Sequence, residues 1–185
     1  MQVPFTKMNS QGNDFVVIDN TDLLCQFDNK KIRSICSRNV IGCDQLLLLN
    51  VKDSNNVTCE IFNQDGSSAQ QCGNGMRAIM LFLNRKYNFF DSKIFVNLVP
   101  YNVSFVNEKE IKVSMGNAVF LENIPNGISE NISISAKNYY YEVSVNSETP
   151  SWSFSYSHLS IGNSHCIVFS KNSFGNKEKI SDILN

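Results

Sequence analysis

At 185 residues, with 42% apolar and 18% charged side chains, the chain suits a soluble globular protein with room for one full domain or two small ones. Its 16 basic and 17 acidic residues nearly cancel, to a net charge of -1, which excludes a strong electrostatic footprint for nucleic acid or an acidic membrane surface. No apolar run reaches the roughly 20 residues of a membrane span, and the first residues lack the basic-then-apolar layout of a signal peptide, so the expected compartment is the cytoplasm.

Residues 5–8 and 15–19 predict two short strands joined by the polar turn Asn9-Ser10-Gln11-Gly12-Asn13. Asp28 predicts a cap for a helix over 29–38, with Ile32, Ile35 and Cys36 on one face. Residues 40–44 read as a loop. The run 45–51 is apolar without alternation and reads as a buried strand. Residues 57–62 alternate as a half-buried strand does, and Asn63-Gln64-Asp65-Gly66 supplies turn chemistry.

Over 73–87, Met76, Ile79, Met80, Leu83 and Tyr87 fall at helical spacing, while Ala78, Leu81 and Phe82 fill most of the remaining circumference. A helix apolar nearly all round has to be surrounded by protein, so a central helix wrapped by a curved sheet is expected. Strands follow at 94–99, 102–106 and 110–115, then a linker at 122–131 marked by Pro125 and Gly127. Further strands at 132–135, 139–145, 154–159 and 165–169 precede a short amphipathic helix at 177–184. The expected division is a first domain over 1–120 and, over 121–185, the linker with the first part of a second domain.

The cysteines are Cys25, Cys36, Cys43, Cys59, Cys72 and Cys166; no C-x-x-C pair occurs, and the only histidines are His158 and His165. Neither a disulfide framework nor a zinc site is expected, and most of the thiols read as small core residues. Cys72 is the exception. It lies in Gln71-Cys72-Gly73-Asn74-Gly75-Met76-Arg77-Ala78, between a strand and the apolar helix, with two glycines leaving room beside it. The first N–H groups of a helix have no internal partner and carry the positive end of its dipole. A thiol there is expected to be drawn toward thiolate by up to about 2 kcal/mol, where about 1.4 kcal/mol is one pKa unit. That reading makes Cys72 an acid/base thiol.

Five segments together carry a family resemblance. They are Lys7-Met8 with Gly12-Asn13-Asp14-Phe15-Val16-Val17, Gly42-Cys43-Asp44-Gln45-Leu46-Leu47, Ile61-Phe62-Asn63 with Asp65-Gly66, the Cys72 stretch, and Gly162-Asn163-Ser164-His165-Cys166. In this order and spacing the chain resembles the diaminopimelate epimerases, cofactor-independent isomerases of lysine and cell-wall precursor synthesis. The resemblance implies an α/β (α+β) fold of two pseudo-symmetric domains, each a curved antiparallel or mixed sheet around a central helix. It implies that Cys72 is one of two proton-transfer thiols and that Asn13, Gln45 and Asn63 hold the polar groups of diaminopimelate. Gly73 and Asn74 would present backbone N–H to its α-carboxylate, Asn163 would touch the substrate, and His165 would support the geometry. No cofactor, metal, nucleic acid or membrane partner is implied, and a homodimer stays open.

The family's second thiol sits in an Ala-Cys-Gly-Thr/Ser-Gly segment preceded by a Glu-Arg pair, and neither segment occurs through Asn185. One complete domain and the beginning of another are therefore expected. Three other readings stand beside the epimerase: a racemase of another amino acid, a hydrolase with Cys72 as nucleophile and His165 as base, and an inactive remnant that only binds ligand.

Overall fold

The computed structural model describes residues 2–23, 25–122, 132–146, 151–169 and 177–184. They form two compact units, Met1–Met115 and Gly116–Asn185. Apart from Glu122, the expected linker falls outside the described residues.

The first unit is a seven-stranded sheet in simple chain order: β1 (Thr6–Ser10), β2 (Asn13–Asp19), β3 (Gln45–Asp53), β4 (Asn56–Asn63), β5 (Asp91–Val96), β6 (Val99–Asn107) and β7 (Glu110–Val113). Two parallel pairings, β2 with β3 and β4 with β5, need crossovers, and the two helices supply them. Helix α1 (Asn29–Cys36) crosses from β2 to β3, and α2 (Gly73–Tyr87) from β4 to β5. Helix α1 starts where Asp28 accepts a hydrogen bond from the Lys31 N–H at 2.8 Å, and it stops at Cys36, two residues before its expected end.

Helix α2 packs against β1 and β2 and also against β5, β6 and β7, the two opposite ends of the strand order. Seven strands about 4.8 Å apart make a flat sheet some 29 Å wide, far broader than one helix of about 10 Å. Contact with both ends therefore requires the sheet to curl around α2. Met76, Ala78, Ile79, Met80 and Leu83 are buried within that curl, whereas Leu81 and Phe82 are only partly covered. The wrapping stops short of complete.

The sheet's other face explains the unbroken apolar run of β3. Leu47, Leu49 and Val51 join the core around α2, while Leu46 and Leu48 join Val16, Ile18, Ile32 and Cys36 in a second core under α1. Both faces of β3 are covered, so alternation is absent for a physical reason. The strand expected over 94–99 is in fact two, because Asn97 and Leu98 turn the chain with φ of 48° and 68°.

The second unit carries β9 (Ile132–Ala136), β10 (Tyr141–Val145), β11 (Trp152–Ser160) and β12 (Ser164–Phe169), paired antiparallel in the order β12-β11-β10-β9. The short β8 (Val119–Phe120), not expected from the sequence, adds to β11. Helix α3 (Lys177–Leu184) contributes Ile180 to a small core with Val143, Phe154 and Tyr156. No helix among the described residues is long and apolar enough to cross a membrane.

Candidate active site

Asn13 is the first residue of β2, Gln45 the first of β3 and Asn63 the last of β4. Strand register sets them side by side: Gln45 pairs with Asn63, and its parallel partner on β2 is Phe15, two residues from Asn13. These polar residues thus mark one end of the curled sheet. Gln45 Nε2 donates to Asn63 Oδ1 at 3.0 Å, and Asn63 Nδ2 donates to Ser67 Oγ at 3.0 Å. Gln45 shares the face of Leu47, whose Cδ2 lies 3.4 Å from where a Cβ on Gly75 would stand.

The N-terminus of α2 meets the same end. Asn74 Nδ2 donates to Asn13 Oδ1 at 2.9 Å, and Asn74 Oδ1 accepts from Arg77 Nη1 at 3.0 Å. Cys72 is the N-cap in extended conformation (φ -147°, ψ 102°), and its Sγ accepts from the Gly75 N–H at 3.2 Å. The sulfur does here what a Ser or Asp oxygen usually does at a helix start. Asn13, Gln45, Asn63, Cys72, Gly73 and Asn74 are thereby gathered in the first unit.

Two expectations about this stretch change. Burial raises the Cys72 thiol above its ordinary pKa; the Gly75 and Asn74 N–H groups and the Arg77 charge pull it back only in part. The expected net pull toward thiolate is overturned, because the half-buried sulfur loses more hydration than the helix start returns. The glycines also leave less space than expected. A Cβ on Gly73 would lie 3.2 Å from Met115 Cε, and one on Gly75 would touch Cys72 and Leu47 at 3.4 Å. Their smallness fits α2 against its own unit, so the helix start offers N–H groups more than open room.

Behind Asn13 stands an ionic lattice whose role was not legible in the sequence. Asp44 accepts from Asn13 Nδ2 at 3.2 Å, from the Asp14 N–H at 3.0 Å and from Arg38 Nη2 at 2.7 Å. Arg38 also clamps Asp14 with both Nη atoms, at 2.5 and 2.8 Å, and Lys7 reaches the same carboxylate at 2.8 Å and the Gly42 carbonyl. The Arg38 guanidinium, helped against burial by Lys7, holds the Asp14 carboxyl well below the usual range. A continuous chain of contacts runs from Arg38 through Asp44, Asn13 and Asn74 to Arg77. The runs holding Lys7, Asp14 and Asp44 are visible in the sequence, but their pairing depends on strand register.

Asn163 and His165 belong to the second unit. They stand at the three-residue turn between β11 and β12, where Gly162 has φ 103° and His165 Nε2 meets Asn163 Oδ1 at 3.0 Å. Ser164 Oγ meets His158 Nε2 at 2.9 Å.

A family model described as diaminopimelate epimerase matches residues 5–121, the span that contains the whole Cys72 end of the first unit. The chain belongs to the diaminopimelate epimerase family. It is 32% identical to the diaminopimelate epimerase of Blochmanniella floridana over 89% of this chain and 58% of that one. To the diaminopimelate epimerases of Vesicomyosocius okutanii and Coxiella burnetii it is 31% and 33% identical, over 92% and 91% of this chain and 60% and 59% of theirs. The chain thus spans about three-fifths of the length of these relatives. Among solved structures, a Bacillus anthracis phenazine biosynthesis protein of the PhzF family shares the fold, with TM-score 0.52 at 14% identity over 90% of this chain and 54% of that one. The mixed fold of curled sheets and few helices seen here is the one expected for an epimerase-family chain.

Proposed function

We propose that the first unit supplies one thiol half of a cofactor-independent epimerase site that acts on the α-carbon of diaminopimelate. The observation that carries this reading is Cys72 Sγ at the start of a buried helix, with its first N–H groups and the Asn13, Gln45 and Asn63 amides at the same end of the sheet. In this reading the α-carboxylate docks on the Gly73 and Asn74 N–H groups, where helix ends favour anions. The three side-chain amides hold the substrate's remaining polar groups. Fixed dipoles of this kind are what steadies charge on an α-carbanion when no cofactor drains it.

Burial raises the free Cys72 thiol and so favours its protonated form, the one that delivers a proton to carbon. The same N–H groups and Arg77 lower the free energy of the thiolate that takes a proton away. Inversion needs a base on each face of the carbon, and Cys72 serves one face. The family resemblance gives Asn163 as a substrate contact and His165 as a support for the geometry; both lie in the second unit. A small polar substrate of this kind suits a cytoplasmic protein.

The test is α-proton exchange. With diaminopimelate in deuterated buffer, the chain should exchange an α-proton for deuterium with retention, followed by NMR. Cys72→Ser should lower that rate by about 10²–10⁴-fold, the usual contribution of a positioned acid/base. Exchange that survives Cys72→Ser at full rate, or a folded chain that exchanges nothing, refutes the proposal. Cys72 alkylation by iodoacetamide adds a pH reading. Its rate should reach half-maximum above the ordinary thiol value of about 8.5. A midpoint below that value would show the helix start outweighing burial.

A further inference from the structure

We propose that Cys36 and Cys43 form a reversible oxidation site, at which hydrogen peroxide joins the two sulfurs in an intrachain disulfide. The sulfurs face each other across a 3.4 Å hydrogen bond, and both thiols are free. Cys36 closes α1 and Cys43 lies two residues before β3, so the pair ties a helix end to a strand start. The two backbones are already fastened by a hydrogen bond from the Cys43 N–H to the Cys36 carbonyl at 3.1 Å, beside one from the Gly42 N–H to Ile35. Closing the sulfurs to the bonded distance of about 2.05 Å then asks for side-chain rotation on a fixed frame.

The surroundings favour Cys43 as the attacking sulfur. The hydrogen bond with Cys36 lowers its pKa against burial, the Val16 N–H and the Lys7 charge act the same way, and the Cys36 thiol is correspondingly raised. The thiolate of Cys43 attacks peroxide, breaking the O–O bond and releasing hydroxide, which leaves a sulfenic acid. Cys36 then gives up its proton and attacks that sulfur, and the sulfenic oxygen departs as water. Two thiols and one peroxide become one disulfide and two waters, a balanced two-electron step. Both residues are at most 1% exposed, which fits an oxidant of peroxide size and disfavours a bulky disulfide such as oxidised glutathione. The sequence hides the pair, because six residues separate two cysteines that singly look like core filling.

The test treats the unmodified chain with hydrogen peroxide under native conditions, traps free thiols, and maps peptides without reductant. The expected product links the Cys36 and Cys43 peptides, removes two of the six thiols, and reverts with dithiothreitol. Far-UV circular dichroism should stay unchanged throughout. Three results overturn the proposal: both residues still alkylatable while Cys25 or Cys166 is oxidised, sulfinic acid at Cys43 with Cys36 unbridged, or a bridge that appears only after the dichroism signal is lost.

Discussion

The two units hold their candidate residues in opposite ways. At the Cys72 end of the first unit, Asn13 is fixed from two sides, by Asp44 and by Asn74, and each of those is fixed in turn by an arginine. In the second unit, Asn163 is exposed at a turn and His165 finds its partner in Asn163 itself. The difference teaches where preorganisation resides. The first unit assembles its polar groups before any ligand arrives, through contacts between residues far apart in sequence. The second offers a local pair whose geometry rests on one three-residue turn.

The sharpest way to break that contrast is to remove its central acid. Asp44→Ala takes a carboxylate from the Asp14 N–H, the Asn13 amide and Arg38 together, and charge-assisted bonds of this sort contribute about 1.5–3 kcal/mol. We expect a loss of about 2–3 kcal/mol, read as earlier exposure of the buried Cys59 thiol in urea. Asn163→Ala should cost no more than about 0.5 kcal/mol, as exposed positions do. Trp152, the only tryptophan, lies in the second unit and reports on it by fluorescence. Equal losses from the two substitutions would show that the lattice around Asp44 is no firmer than the turn.

Acid offers a second, slightly smaller probe of the first unit. Burial alone would raise the Asp19 pKa, yet Lys86, Thr21 and Tyr87 bring it down to about 2. Lys86 reaches its carboxylate at 2.6 Å, and the Asp19 side chain is only 8% exposed. A carboxyl depressed in the folded state stabilises above its unfolded value near 4, and that stability fades as pH falls from about 4 through 2. The contribution is on the order of 2 kcal/mol. Asp19→Asn should flatten the acid limb of the first unit's stability between pH 4 and 2. An unchanged acid limb in that variant would mean that Asp19 is not the group responsible.

What the sequence disclosed follows the same division between local and distant causes. The extent of helix α2 was legible from its apolar spacing over 73–87 and from Cys72 at its entrance, whereas the left-handed Asn88 at φ 57° that ends it was seen only in the structure. The double burial of β3 was legible from composition, since only a strand covered on both faces keeps an unbroken apolar run. The lattice of Lys7, Asp14, Arg38 and Asp44 was not, because its partners meet only once β1, β2 and the start of β3 align. Cys72 shows the limit from another side. Its helix-start position was readable, but the burial that reverses its pKa depends on how the sheet curls over it.

The last contrast lies between two hairpins of the first unit and carries the smallest expected effect. Gln11 and Gly12 join β1 to β2 with φ of 55° and 89°, and Asn97 and Leu98 join β5 to β6 with φ of 48° and 68°. Two-residue hairpins with both φ positive match the twist of the flanking strands and favour Asn or Asp followed by Gly. The first loop has its glycine, whereas the second places leucine, 92% exposed, where the left-handed region costs a side chain about 1–2 kcal/mol. Leucine supplies no turn signal, which is why residues 94–99 read as one strand. Leu98→Gly removes that strain and gives back roughly 0.5–1 kcal/mol through the freer unfolded glycine. A net gain of about 0.5–1 kcal/mol is expected, seen as a small rise in Tm. A fall in Tm would show that the leucine contributes contact that its exposure conceals, and the two hairpins would then be held by different means.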